Sequence, residues 1–206
     1  MAVFIAICVF AYFLGAIPFA LIIGKLHGVD IRKVGSGNVG ATNVTRAIGP
    51  WHGKLCFLLD LLKGAIPVMA AQLFLPGDPW AALAAGFIAI AGHMFPVYLK
   101  FKGGKGVSTG AGAALALAWM PLVAVLILWV VIYKASRYVS LASIIAAVML
   151  PLFALAARFA GMGSLIARSW PVILFFTLIA ALTVFRHRSN IRRLLDGTEN
   201  RFEKKD

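Results

Sequence analysis

Long apolar runs alternate with short polar segments along this chain. The clearest apolar runs cover residues 2–26, 51–75, 80–99, 138–157 and 165–185. Each approaches the roughly 20 apolar residues that an α-helix needs to cross a bilayer. The pattern therefore predicts an all-α integral membrane protein, with residues 1–206 in a single membrane-embedded domain.

A further apolar stretch, residues 107–133, carries Pro121 near its centre. Because proline interrupts the hydrogen-bond ladder of a helix, we predict that this stretch forms two short membrane helices. Each would be about 20 Å long at 1.5 Å per residue, which is shorter than the hydrocarbon core. The sequence thus predicts seven transmembrane helices, two of them short. The alternative is five crossings and one re-entrant hairpin.

The basic residues determine the predicted orientation. Of the 20 lysines and arginines, 17 fall in four segments: residues 25–54, 100–105, 134–137 and 186–206. The turn at residues 76–79 contains none. Since basic residues concentrate on the cytoplasmic side of membrane proteins, we predict an N-terminus outside and a C-terminus in the cytoplasm.

Composition narrows the class of protein further. An apolar content of 62% agrees with a membrane protein, and the net charge of +13 follows largely from the cytoplasmic bias. The charge therefore predicts contact with anionic membrane lipid and no nucleic-acid binding. Cys8 and Cys56 have no CxxC spacing and the four histidines have no ligand spacing, so we predict no metal and no cofactor.

The first polar segment of interest follows the first apolar run. Its short side chains and glycines are Gly35, Ser36, Gly37, Asn38, Gly40, Thr42, Asn43 and Arg46. Many small donors on a flexible backbone suit the oxygens of a phosphate or an acyl phosphate. No strand precedes the GxGxxG spacing, so a dinucleotide site is not indicated. A polar connecting turn is the alternative.

A second segment runs from His93 to Gly110 and contains three lysines and a glycine cluster. Lys105 lies among Gly103, Gly104 and Gly106, just before an apolar helix. Exposed glycine amides, a lysine and a helix N-terminus together favour anion binding. Gly106 follows Lys105 where a Walker A motif requires Ser or Thr, so nucleotide hydrolysis is not indicated. The alternative is an ordinary basic membrane loop, and His93 could bind substrate or form a structural hydrogen bond.

The third segment is the basic tail. His187, Asn190 and Arg193 are three residues apart in turn, so they share one face of a helix. Glu199 is predicted to orient an arginine or lysine of the same site. The alternative is a juxtamembrane helix that binds anionic lipid.

Two charged residues lie inside the second predicted span. Asp60 and Lys63 are spaced i, i+3, which is close enough to pair. Charges within a membrane are costly, so both should face protein or a water-filled cavity. Their pairing could support the fold or belong to a site. The chain has no GxSxG elbow, and its polar segments supply no catalytic triad.

Three motifs in this order resemble the bacterial acyl-phosphate:glycerol-3-phosphate acyltransferases. They are GSGNVGATN with Arg46, GHMFPVYLKFKGGKG, and HRSNIRRLLDGTE. The resemblance implies acyl transfer from acyl phosphate to the sn-1 hydroxyl of glycerol 3-phosphate, giving lysophosphatidate and inorganic phosphate. It also implies a multi-pass protein of the bacterial cytoplasmic membrane with a cytoplasmic active site. The enzyme that makes acyl phosphate becomes a candidate partner.

With this chemistry, both substrates carry phosphate, and the donor is already activated, so positioning and charge neutralisation suffice without a covalent acyl-enzyme. We assign catalytic roles to Ser36, Arg46, Lys105 and His187. The predicted substrate-binding residues are Gly37, Asn38, Thr42, Asn43, His93, Gly103, Gly104, Gly106, Asn190, Arg193 and Glu199.

The hydroxyl proton would pass to a substrate phosphate oxygen, with His187 as an alternative base. Ser36 is the weaker candidate for an acyl nucleophile, because its motif contains no adjacent base. A phosphate transporter and a lipid-binding scaffold are the rival functions. A transporter should place its site near mid-membrane between repeats, and no repeat is visible.

Overall fold

A computed structural model describes residues 1–202 of the chain. The helices are α1 (Ala2–Ala16), α2 (Phe19–Leu26), α3 (Ala41–Ala47), α4 (Pro50–Phe74), α5 (Pro79–Met94), α6 (Val107–Leu117), α7 (Trp119–Ser136), α8 (Val139–Phe159), α9 (Trp170–Arg186) and α10 (Arg188–Leu195), with a short 3₁₀ turn at Val97–Leu99. Residues 1–202 contain no strand, which confirms the predicted all-α class. The last four residues of the predicted basic tail lie outside the described residues.

Several helices are long and apolar enough to cross a membrane. Within residues 1–202 there are five such stretches: Ala2–Leu26, Pro50–Phe74, Pro79–Leu99, Trp119–Ser136 and Val139–Phe159. Helices α9 and α10, which meet at a bend of 57°, make a sixth if they count as one span. Helix α6 is a shorter apolar helix. The predicted count of seven spans and the orientation of the termini remain predictions.

The apolar stretch 107–133 is divided into two helices, but not at Pro121. Helix α6 ends at Leu117 and α7 begins at Trp119, so the break lies at Ala118. Pro121 lies in the first turn of α7, where N–H groups have no partner within the helix. A proline is therefore tolerated there and does not end the helix. The two helices are therefore unequal, with 11 and 18 residues instead of two similar halves.

The helices form two compact units, Met1–Ala116 and a second unit that begins at Leu117. In the first unit, α1 packs on α4 and α5, and α4 packs on α3 and α5. Glycines bring α1 and α5 into backbone contact: a Cβ on Gly15 would overlap the backbone of Ala89, and one on Gly92 that of Tyr12. Small residues at helix crossings are typical of membrane proteins, because close packing replaces the hydrophobic effect there.

Helices α4 and α6 meet in the same way. A Cβ on Gly64 of α4 would overlap the backbone of Thr109, and one on Gly112 of α6 would overlap that of Leu61. The Gln72 side chain adds a hydrogen bond from Nε2 to the Ala116 carbonyl, 3.2 Å long. Helix α6 is therefore fixed along α4 by two glycine contacts and a polar one.

In the second unit, α8 packs against α7 and α9, and α10 packs against both α8 and α9. The chain after α10 returns to the turn between α7 and α8. Arg201 Nε donates to the Ser136 carbonyl and the Phe202 N–H donates to the Arg137 carbonyl, both at 3.2 Å. The tail as far as Phe202 is thus part of the packed unit.

The glycine contact between α4 and α6 gives a stability prediction. We expect Gly112→Val to lower the thermal unfolding midpoint of the protein in detergent, because overpacking a tight contact costs about 1–3 kcal/mol. Leu115→Val is the matched control, since Leu115 is 41% exposed on the same helix. Equal midpoints for the two variants would contradict the close α4–α6 contact.

Candidate active site

Asn43 holds the first polar segment in place. It is fully buried on α3, where its Nδ2 donates to the carbonyls of Ile31 (2.7 Å) and Val34 (3.1 Å). Its Oδ1 accepts the Ser36 N–H at 2.9 Å. All three bonds go to backbone groups, which need partners once they are withdrawn from water. The side chain therefore shapes the loop, which differs from the direct phosphate contact expected from the sequence.

The loop that Asn43 supports presents several of the predicted site residues. Ser36 is exposed, and its Oγ accepts the Asn38 N–H at 3.4 Å. Gly37 has a φ of +67°, which favours glycine. Asn38 is half-buried, as are Thr42 and Arg46 on α3. These residues form one local group within the first unit.

The second segment turns back on the end of α5. After the 3₁₀ turn, Lys100 and Phe101 adopt left-handed backbone angles, with φ of 51° and 62°. The reversed chain then pairs with α5: the Gly103 N–H donates to the Met94 carbonyl at 3.1 Å and the Gly104 N–H donates to the His93 carbonyl at 3.2 Å. Since both amides serve the fold, the structure differs from the predicted cradle, in which they bind phosphate.

The two glycines are required by close approach. A Cβ on Gly103 would overlap the His93 carbonyl, and one on Gly104 would overlap His93 Nε2 and the Val39 carbonyl. Val39 belongs to the first polar segment, so the structure brings the first and second motifs together at Gly104. Lys105, half-buried, follows directly.

The N-terminus of α6 comes next. Gly106 has a φ of +81°, and α6 begins at Val107. The first N–H groups of a helix have no partner within it and carry a partial positive charge. Lys105 therefore lies beside the N-terminus of α6, an 11-residue helix, and this end of the helix favours an anion.

A buried ionic cluster lies beneath this loop. Lys63 Nζ is 2.7 Å from Asp60 Oδ1, which confirms the predicted pair, and both side chains are 2% exposed. His93 Nδ1 is 3.7 Å from the same oxygen. A small cavity adjoins the cluster, lined by Ala16, Ile17, Pro18, Phe19, Ala20, Val39, Asp60, Lys63, His93, Pro96, Leu99, Gly103 and Gly104. Sequence spacing could not predict that His93 would join Asp60, because the two residues lie on different helices.

The third motif is organised around the carboxylate of Glu199 in the second unit. Its Oε1 accepts from Asn190 Nδ2 at 2.7 Å and from Ser140 Oγ at 2.9 Å. Its Oε2 accepts from Arg193 Nε at 2.8 Å. Glu199 thus contacts an arginine, as the sequence predicted, and also the amide of Asn190. Ser140, on α8, had not been singled out in the sequence.

These contacts change the titration of Glu199. Burial opposes its ionisation, but the hydrogen bonds from Asn190, Ser140 and Arg193 outweigh burial and lower the pKa of Glu199 below its ordinary value. The carboxylate is therefore charged at neutral pH.

His187 is buried at the junction of α9 and α10. Its Nδ1 lies 2.8 Å from the Thr183 carbonyl, which can only accept, so Nδ1 carries a proton in this contact. In the neutral ring the lone pair is then on Nε2, the arrangement that a general base requires. Within residues 1–202, no group of three or more His, Cys, Asp or Glu side chains is placed to hold a metal ion.

Comparison with known proteins identifies the relatives of this chain. The family model described as glycerol-3-phosphate acyltransferase matches residues 5–197. The glycerol-3-phosphate acyltransferase of Aquifex aeolicus is 46% identical over 196 residues, which cover 94% of this chain and 96% of that protein. That of Geobacter sulfurreducens is 44% identical over 194 residues, which cover 94% of each chain.

Two solved structures have the same fold. They are crystal structures of PlsY (YgiH), an integral membrane glycerol 3-phosphate acyltransferase, in its glycerol 3-phosphate and lysophosphatidic acid forms. The first superposes with a TM-score of 0.88 at 44% identity, covering 97% of this chain and 96% of that one. The second gives 0.86 at the same identity, covering 97% and 95%.

The role of Asn43 can be tested by hydrogen exchange. We expect Asn43→Ala to speed amide exchange in residues 31–37 and to lower stability, because each buried group left unpaired costs about 1–3 kcal/mol. Thr42→Ala, on the same helix, leaves the three Asn43 bonds in place and serves as the control. Unchanged exchange in Asn43→Ala would show that the loop does not depend on this side chain.

The lowered pKa of Glu199 predicts a pH dependence of stability. Because the folded-state pKa lies below the unfolded one, Glu199 contributes its full stability above the unfolded value and loses it as the pH falls through the folded one. Thermal midpoints of the wild type and Glu199→Gln should differ most above about pH 5 and converge in more acidic buffer. A difference that stays constant down to acidic pH would contradict this assignment.

Proposed function

This chain belongs to the glycerol-3-phosphate acyltransferase family, and we propose that it acylates the sn-1 hydroxyl of glycerol 3-phosphate with an acyl phosphate as donor. The products are lysophosphatidate and inorganic phosphate, at the start of membrane phospholipid synthesis. The observation that carries this proposal is the likeness, over 97% of the chain, to a PlsY structure in its glycerol 3-phosphate form.

Phosphate recognition in the first unit rests on cationic and polar groups around one loop. Lys105 precedes the N-terminus of α6, whose first N–H groups and Gly106 amide favour a phosphate oxygen. Ser36, Asn38 and Arg46 lie in the neighbouring segment, together with Gly37 and Thr42. Asn43, Gly103 and Gly104 take part indirectly, because their polar groups hold the two loops in shape.

In the second unit, His187, Asn190 and Arg193 orient glycerol 3-phosphate. Glu199 fixes Asn190 and Arg193 in one arrangement, and its bond to Arg193 uses Nε. A guanidinium held in this way binds a phosphate with less loss of side-chain entropy.

The reaction needs no covalent intermediate on the protein. The sn-1 hydroxyl oxygen attacks the acyl carbonyl carbon, an ester C–O bond forms, and the carbonyl carbon–phosphate oxygen bond breaks. Phosphate leaves with the bonding electrons, stabilised by Lys105 and Arg46. The hydroxyl proton passes to a phosphate oxygen of a substrate, or to Nε2 of His187.

The membrane arrangement proposed for this reaction follows from charge. Residues 1–206 form one acyltransferase domain with seven spans, an N-terminus outside and a C-terminus in the cytoplasm. The site lies on the cytoplasmic side of the bacterial inner membrane. The enzyme that makes acyl phosphate supplies the donor on that side. The acyl chain lies along apolar helices and is open to the bilayer.

The donor and the glycine loop are tested together. Purified protein is mixed with palmitoyl phosphate and glycerol 3-phosphate, and phosphate and lysophosphatidate are measured in parallel. We expect equal yields, and we expect Lys105→Ala to lower kcat/KM by roughly 10- to 100-fold, the effect of losing a hydrogen bond to a charged group. Lys102→Ala removes an exposed lysine from the same loop and should retain activity.

Other outcomes would identify other functions. Phosphate without lysophosphatidate would indicate a phosphatase, and activity with palmitoyl-CoA alone would refute the proposed donor. No turnover with either donor, together with glycerol 3-phosphate flux in liposomes, would identify a transporter. Full activity in Ser36→Ala would exclude Ser36 from both the phosphate cradle and nucleophilic catalysis.

A further inference from the structure

The buried ionic cluster of Asp60, Lys63 and His93 is not explained by substrate binding alone. The three residues are 2%, 2% and 8% exposed, inside the first unit. Replacing a buried ion pair with apolar side chains often stabilises a protein, so such a pair is weak evidence for a purely stabilising role. Ionisable groups within membrane segments are, by contrast, frequently functional.

Asp60 is the centre of the cluster and joins two helices through its carboxylate. Oδ1 is 2.7 Å from Lys63 Nζ and 3.7 Å from His93 Nδ1. On the other side, the Cys56 thiol donates weakly to Oδ2 at 3.8 Å. Helix α4 is thereby tied to the last turn of α5.

Lys63 extends the cluster to the break in the first span. Its Nζ donates to the Ile17 carbonyl at 2.8 Å, where α1 has ended before Pro18, and lies 5.5 Å from the centre of the Phe19 ring. The Ile17 carbonyl also accepts the Phe19 N–H at 3.1 Å, so the buried ammonium is its second donor. Lys63 is therefore held from two sides, which fixes the position of the Asp60 carboxylate.

His93 connects Asp60 to the glycine loop. Its Nδ1 faces Asp60, while Nε2 lies against Gly104 so closely that a Cβ there would overlap it. The His93 carbonyl also accepts the Gly104 N–H. Lys105 follows Gly104 in the chain, so a shift of the His93 imidazole would displace the loop directly before that lysine.

We propose that Asp60 is a positioning residue for acyl transfer, acting through the His93 ring on Gly104 and Lys105. Lys63 neutralises and anchors the carboxylate, and His93 transmits its position to the loop. This inference rests on the proposed function. It adds Asp60 and Lys63 to the residues that determine the rate, although neither of them contacts a substrate.

The test removes both charges together, because Asp60→Asn alone would leave Lys63 buried without its counter-ion. The variant Asp60→Asn with Lys63→Met keeps similar volumes, and we expect a folded, monodisperse protein with kcat/KM at least about 10-fold below wild type. Cys56→Ala is the matched control: it removes a neighbour of Asp60 on the same helix and should stay within about twofold of wild type, because the thiol is a weak donor.

A double-mutant cycle separates positioning from general support of the fold. If Asp60 acts through Lys105, the paired substitution should cost less than about threefold in a Lys105→Ala background, because the coupled residue is already absent. An equal cost in both backgrounds, or activity close to wild type in the paired variant, would overturn the proposal. If the paired variant does not fold, His93→Phe replaces it in the same cycle, and the same outcomes decide.

Amide exchange at Gly103 and Gly104 provides a readout that does not depend on turnover. We expect faster exchange at both amides in the paired variant than in Cys56→Ala, because the bonds to Met94 and His93 loosen. Unchanged exchange would overturn the positioning role even if the wild type proved inactive with palmitoyl phosphate. An inactive wild type with faster exchange in the variant would refute the proposed function and retain the structural link.

Discussion

A charge withdrawn into the apolar part of a membrane protein must find its partners within the protein. Asp60 meets this requirement in the first unit through Lys63 and His93. These partners come from α4 and α5, and Lys63 also reaches the end of α1, so the cluster joins three helices. The glycine loop leaves α5 at this point, with Gly104 against the His93 ring that faces the same carboxylate.

In the second unit, the carboxylate of Glu199 has the same requirement for partners within the protein. Glu199 accepts hydrogen bonds from Ser140, Asn190 and Arg193, and these donors fix α10 relative to α8. In each unit one carboxylate gathers side chains that are distant in sequence. These carboxylates position basic and polar groups within each unit.

The sequence predicted the features that depend on local spacing. The limits of the early spans and the Asp60–Lys63 pair followed from apolar length and from the i, i+3 rule. Glu199 was correctly expected to contact an arginine. The break near Pro121 was predicted three residues too late, because a proline tolerated in the first turn of a helix gives the same sequence signal as one that ends a helix.

The features that sequence could not supply depend on which backbone groups are buried. The Asn43 amide could bind a phosphate, yet it forms hydrogen bonds with three backbone groups of the neighbouring loop. The backbone amides of Gly103 and Gly104 could bind an anion, yet they donate hydrogen bonds to carbonyls at the end of α5. The residue type determines which hydrogen bonds a group can form, whereas tertiary packing determines which partner it has in the structure.

The glycine contacts between helices also restrict where a hydrocarbon tail can travel. Where Gly15 meets Ala89 and Gly112 meets Leu61, neighbouring backbones occupy the space that even a methyl group would need. Neither the α1–α5 seam nor the α4–α6 seam can therefore open to an alkyl chain without separating the helices. In both seams the room for a fatty chain is therefore set by the helix backbones, and no change of side-chain rotamer would create it.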